Sequence, residues 1–179
     1  MLNEKAIIIG ATGLVGSELL STLCLNPYYS KVISLARKPI KLISDKHEHY
    51  IVDFELLNKF DSLFQADDLY ICMGTTIKKA GSKERFKRID KGYVLESSKV
   101  FLSNGGKRIF LISSTGANAK SKIFYNRIKG ETELEVKELN AEQTYIFRPS
   151  LLLGDRMESR TVELLAIRAY GFINAISQP

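Results

Sequence analysis

Tyr125 and Lys129 stand four residues apart in a helix-forming stretch, so both side chains project from one face. An ammonium beside a phenol favours release of the phenolic proton, and a tyrosine so placed can hand a proton to a carbonyl oxygen. The spacing alone decides little, because eight tyrosines and 26 cations in 179 residues give about one such pair by chance. Its place is what counts. The pair opens the helix after a strand that ends in Ser113-Ser114-Thr115. A hydroxyl there can hydrogen-bond both a carbonyl and the tyrosine; Ser114 is the first candidate, with Ser113 and Thr115 as substitutes.

A second constellation lies near the N-terminus. A short apolar run enters Gly10-Ala11-Thr12-Gly13-Leu14-Val15-Gly16, which opens a helix. Gly10 allows the tight turn, Gly13 leaves the backbone amides open to a pyrophosphate, and Gly16 lets the helix lie close to the strand. The helix N-terminus adds unpaired N–H groups and a positive dipole end. Three glycines are weak evidence on their own, and a turn without a ligand is the competing reading; a preceding strand is the context a dinucleotide site requires. An acid selecting the ribose hydroxyls of NAD belongs at the end of the second strand, where Ala36 stands instead, followed by Arg37-Lys38. Two cations suit a 2′-phosphate, so the expected cofactor is NADP (NADPH), with a solvated basic loop as the alternative.

These residues need a scaffold, and β-branched runs alternating with helical patterns supply one. Strands are expected at Lys5 to Ile9, Lys31 to Ala36, Tyr50 to Val52, Leu69 to Met73, Arg108 to Ile112 and Thr144 to Phe147. Helices are expected from Gly13 to Leu25, continuously from Ser82 to Ser103, and from about Ile123 to Leu139. Such alternation implies a doubly wound parallel α/β sheet, the Rossmann fold, in a single domain over residues 1–179. Ligands bind such a sheet at the carboxyl ends of its strands.

With the glycine turn, the Ser–Tyr–Lys set and the basic pair in register, the chain resembles the atypical short-chain dehydrogenase/reductases. The likeness extends to the branch of the Tat-interacting oxidoreductases and their short bacterial relatives. It is carried further by Cys72-Met73-Gly74-Thr75-Thr76 with Arg88-Ile89-Asp90-Lys91-Gly92-Tyr93, by Phe110 to Ala117, by Phe124 to Glu133, and by Phe147 to Gly154. The resemblance implies that Asp53-Phe54 contact adenine, although an Asp ending a strand can also be a simple turn former. It implies that Gly74-Thr75-Thr76 lie along the cofactor and that Pro149-Ser150-Leu151 border the nicotinamide. Tyr125 and Lys129 then touch the cofactor as well as the substrate. The implied activity is hydride transfer from NADPH to a small carbonyl-type substrate, with Tyr125 as general acid. The alternative is a non-catalytic NADP-binding regulatory or redox-sensing protein, since fold alone does not decide between them.

Composition excludes little more. The chain is 45% hydrophobic and 26% charged, ordinary for a globular protein, and no apolar run is long enough to span a bilayer. The +6 net charge is dispersed, with no aromatic-interleaved basic stripe, which argues against a nucleic-acid partner. Cys24 and Cys72 lie in apolar surroundings without metal-type spacing, and no secretory signal opens the chain, so a reducing, cytoplasmic setting is expected. Relatives usually continue further, adding a strand and a helix, so a shortened C-terminal cap is expected. That shortness leaves open a naturally short chain, a cap supplied by another subunit, or a piece of a longer protein. The segment Val162 to Ile173 is apolar nearly all round and needs cover on more than one side. A homo-oligomer packed through this helix is therefore expected. Light scattering should give a discrete dimer or tetramer that Leu165→Glu dissociates; a monomer at high concentration refutes the expectation.

Overall fold

A computed structural model describes residues 3–150. The expected contact at Leu151 and the expected helix from Val162 to Ile173 lie outside the described residues.

Six strands form one parallel sheet: β1 (Glu4–Ile9), β2 (Tyr29–Ala36), β3 (His47–Ile51), β4 (Asp68–Ile71), β5 (Arg108–Ile112) and β6 (Gln143–Phe147), in the order β3-β2-β1-β4-β5-β6. The order reverses direction after β3, so β1 and β4 are neighbours with a crevice beyond their carboxyl ends. This is the Rossmann-type α/β sheet that the alternating pattern implied.

Alternate side chains of the central strands feed two cores. On one face Ile7, Ile9, Leu35, Leu69, Ile71, Ile109 and Leu111 pack with Phe64, Phe101 and Val136. These come from a 3-10 segment (Leu57–Phe64) and from the helices α4 (Val94–Ser103) and α5 (Phe124–Glu138). On the other face Ala6, Ile8 and Val32 meet Leu20, Leu23 and Cys24 of α1 (Leu14–Leu25). Helices on both faces explain why β1 reads as a continuous apolar run rather than an alternating one.

Strand β2 begins two residues early, β4 ends two residues early, and the 3-10 segment and a short helix after β4 were not expected; two further differences bear on the site. Strand β3 begins at His47, three residues before the expected start at Tyr50. Its polar start is stabilised by the buried Ser34 hydroxyl, which bonds His47 Nε2 at 2.8 Å and His49 Nδ1 at 2.9 Å. The expected helix from Ser82 to Ser103 is present and unbroken, but it widens midway: α3 (Lys83–Lys87) runs through a π-helical turn over Arg88–Tyr93 into α4. A short α2 (Ile77–Ala80) precedes it, closed by Gly81 in the left-handed region. The widened turn puts Asp90 and Tyr93 inside the fold, as π-turns within α-helices often do at functional positions.

Candidate functional site

The glycine turn sits where β1 meets the switch point. Gly10 has φ +86°, and a Cβ there would lie 2.6 Å from the carbonyl carbon of Cys72. A Cβ on Gly16 would lie 2.1 Å from the Gly10 oxygen. Side chains are therefore excluded at both positions by contact with backbone. Gly13 caps α1 without a side-chain hydrogen bond, and no acid stands in the first turn. The first amides of α1 are thus free of a capping carboxylate, the arrangement that receives an anion. Ala11 is buried, Thr12 and Gly13 are exposed, and Leu14 and Val15 are partly buried along the turn.

The second wall is the loop after β4. Gly74 and Thr75 lie against Asp90: the Thr75 N–H donates to Asp90 Oδ2 at 2.9 Å. Thr76 caps α2, its hydroxyl accepting from the Lys79 N–H at 3.1 Å. The other Asp90 oxygen stands 2.8 Å from Lys129 Nζ, both side chains being almost wholly buried. A Cβ on Gly74 would lie 3.7 Å from the same ammonium. One carboxylate therefore ties the loop after β4 to the helix that carries Tyr125 and Lys129. Asp90 was not among the site residues expected from the sequence.

Tyr125 lies on α5 with its ring 5.5 Å from that of the buried Phe86. Ser114 brings a buried hydroxyl that has no hydrogen-bond partner among the described residues. Thr115 is used differently, its hydroxyl donating to the Arg148 carbonyl at 3.2 Å and its N–H to the Pro149 carbonyl at 3.1 Å. Those bonds hold the end of β6, which is braced again where Arg148 Nε donates to the buried Glu133 at 3.0 Å. Burial alone would raise the Glu133 carboxyl, but the Arg148 guanidinium holds it below the usual carboxylate range. Pro149 is thereby set beside the end of β5, and Ser150 is exposed.

On the other side of the crevice, Arg37 and Lys38 follow the end of β2 and are both exposed. Asp53 acts as a turn former: its Oδ1 accepts from the Glu55 N–H at 2.9 Å. Phe54 is buried in the core, 5.6 Å ring to ring from Tyr93. Glu55, also unexpected from the sequence, accepts from the Tyr93 hydroxyl at 2.5 Å and from Arg88 Nε at 2.9 Å. Bonds from Tyr93, Arg85 and Arg88 hold its carboxyl down to about 2. This clamp fastens the loop after β3 to the helical segment that presents Asp90. Burial pushes the Cys72 thiol, beside Gly10, up to about 12, so it carries no nucleophile at neutral pH.

No family model matches the chain. The rat protein HTATIP2 is 37% identical over 175 residues, covering 96% of this chain and 72% of the relative. The Candida albicans protein FMP52, named as mitochondrial, is 36% identical over 160 residues, covering 87% of this chain and 70% of the relative. Among solved structures, the Thermotoga maritima UDP-glucose 4-epimerase with UDP-glucose aligns at TM-score 0.71 and 16% identity, over 92% of this chain and 62% of its own. The Bordetella bronchiseptica enzyme WbmH in complex with NAD+ aligns at TM-score 0.72 and 14% identity, over 94% of this chain and 62% of its own. The chain thus spans less than two thirds of these solved structures, and the likeness is one of fold. The cytoplasmic placement expected from composition is corrected by the fungal relatives, which are named as mitochondrial proteins. Among the described residues no helix is long and apolar enough to cross a membrane.

The buried pair gives a direct test. Asp90→Ala leaves the Lys129 ammonium buried without its partner and should cost about 3–5 kcal/mol in urea denaturation. Adding Lys129→Met should recover most of that loss, because the stranded charge is then gone. A single Asp90→Ala as stable as the parent would show that the pair does not hold the two elements together.

Proposed function

We propose that this chain, which belongs to the family of rat HTATIP2 and fungal FMP52, works as a short-chain dehydrogenase/reductase: an NADPH-dependent reductase of a small carbonyl compound. The observation that supports this most is the Asp90 carboxylate, which fastens the loop of Gly74-Thr75-Thr76 to the helix bearing Tyr125 and Lys129. A protein that only bound the dinucleotide would need the glycine turn but not this second corner.

The residues fit the cofactor. The side-chain-free cradle of Gly10, Gly13 and Gly16 and the uncapped start of α1 suit a diphosphate. Arg37 and Lys38 would hold the 2′-phosphate, and Lys129 the nicotinamide ribose. When bound, NADPH supplies the hydride that the protein itself lacks. Tyr125 would donate a proton to the carbonyl oxygen, and Ser114, whose buried hydroxyl bonds to no described residue, would hold that oxygen in place. Pro149, held beside the end of β5, would border the reacting ring. Asp90 fixes Lys129 so that a long, flexible side chain meets the ribose in one geometry.

Cofactor choice follows from the end of β2. NADPH should bind more tightly than NADH by calorimetry, because a charge-assisted bond to the 2′-phosphate contributes about 1.5–3 kcal/mol. Arg37→Asp should abolish or reverse the preference; equal binding of the two cofactors by the parent protein sinks the assignment.

Catalysis is tested at the phenol. Tyr125→Phe should lower turnover by roughly 10²–10⁴-fold in an NADPH-consumption assay across aldehydes, ketones and quinones. Its affinity for NADPH should barely change, whereas Lys129→Ala should damage both. Full turnover by the Phe variant would remove Tyr125 from the mechanism and leave the redox-sensing reading in its place.

A further inference from the structure

Between Ser113 and Gly130 the chain carries Lys120, Lys122, Arg127 and Lys129 and no carboxylate at all. Between Ile77 and Phe86 a single acid, Glu84, stands among Lys78, Lys79, Lys83 and Arg85. The fold brings these two segments together beside Tyr125. The Phe86 ring lies 5.5 Å from the Tyr125 ring and 5.8 Å from that of Phe124. Phe124 is itself flanked by cations, with the Lys83 ammonium 5.5 Å and the Arg127 guanidinium 5.6 Å from its centre.

Three lysines of this corner, Lys83, Lys120 and Lys122, differ from several of the fold's other cations, including Arg85 and Lys129 of these same segments, which pair with Glu55 and Asp90. Arg88 is paired with Glu55 and Glu96, Lys91 with Glu131 and Glu135, and Arg108 with Asp68 and Glu4. Arg127 is partly engaged, donating to the Ser121 carbonyl at 3.1 Å and standing 4.0 Å from Glu131. Lys83, Lys120 and Lys122 are exposed, and no described carboxylate forms a salt bridge with them; the neighbouring Glu84, held down mainly by hydrogen bonds from its own backbone N–H and Ser82, feels the Lys83 charge as a smaller contribution. Cations held on aromatic faces beside a cleft keep their charge available to a ligand, and such a field gathers anions at its mouth.

We propose that the substrate of this site is an anion: a carbonyl compound bearing a carboxylate, phosphate or sulfonate group, with its apolar part against Phe124 and its charge toward Lys83 and Lys122. This rests on the reductase reading above and names its substrate class. With NADPH bound, the hydride it supplies would form the new C–H bond as the carbonyl π bond breaks, and Tyr125 would give its proton to the oxygen, leaving an alcohol and the oxidised cofactor. Tyr125 would regain its proton from solvent, and the anionic group would be unchanged. The charge therefore acts on capture and orientation, and its effect belongs in kcat/KM.

The test compares para-carboxybenzaldehyde with para-methylbenzaldehyde, which differ in charge but little in shape. At low ionic strength kcat/KM should favour the carboxylate by about tenfold, and the advantage should shrink as salt is added. Lys83→Glu combined with Lys122→Glu should erase the ratio. Lys99→Glu, on the exposed side of α4, should leave the ratio standing. A parallel arm measures binding alone, by ligand-observed NMR of para-hydroxymethylbenzoate against para-methylbenzyl alcohol on the protein with NADP+. There too the anion should bind more tightly, and the Lys83/Lys122 variant should lose the difference. Equal kcat/KM for the two aldehydes, equal binding of the two alcohols, or an equal loss in Lys99→Glu overturns the proposal. If NADPH binds and neither aldehyde is reduced, the reductase reading fails, and the binding arm still decides whether this corner prefers anions.

Discussion

An ammonium and a carboxylate 2.8 Å apart, with 7% and 0% of their side chains exposed, sit between the two halves of the crevice. Taking two such ions out of water costs several kcal/mol each, offset only when their geometry is good and their remaining bonding capacity is used. Asp90 meets that condition because its second oxygen accepts the Thr75 N–H. The pair works as a latch between α5 and the loop after β4, neither of which is a sheet neighbour of the other. Removing one partner strands the other, so the position of Tyr125 relative to Gly74 depends on both being present. Other links reinforce this arrangement: Lys91 reaches Glu131 and Glu135 on α5, and the Glu55 clamp holds the same helical segment from the opposite side.

The parts of this design that were legible in the sequence are those carried by contiguous signals. The glycine turn announces itself because strand, turn and helix follow one another directly within the first 25 residues. The alternation of apolar strands with helices was enough to give a parallel sheet, since crossover connections of that length allow little else. Tyr125 and Lys129 were visible because both lie on one helix. Asp90 was not visible in the same way. It lies in a stretch read as one continuous helix, between Arg88 and Lys91, where an acid looks like an exposed surface residue. No residue type marks a π-turn, so the burial of Asp90 follows from the tertiary packing of α5 and not from local preference.

Strand β3 was displaced for a related reason. The sequence His47-Glu48-His49 lacks the apolar alternation that identifies a strand, and it is ordered by hydrogen bonds to Ser34 on its neighbour. Asp53 shows the converse. Its side chain satisfies the backbone of the turn that it begins, the plainer of its two possible roles, while Phe54 is spent on the core. The cellular address was illegible because composition does not encode it, and the fungal relatives are named as mitochondrial proteins.

The edge position of β3 also bears on self-association. A strand at the margin of a sheet offers unpaired backbone groups to any chain that can align with it. Here that margin is five residues long, begins with two histidines around a glutamate, and has Glu48 drawn to Lys31 at 2.6 Å. A short, charged border of this kind is a poor template for cross-strand growth, and it blunts the aggregation hazard that a flat apolar edge would present. A second copy joining this one would therefore do so through side-chain packing at some other surface, not by extending the sheet past β3.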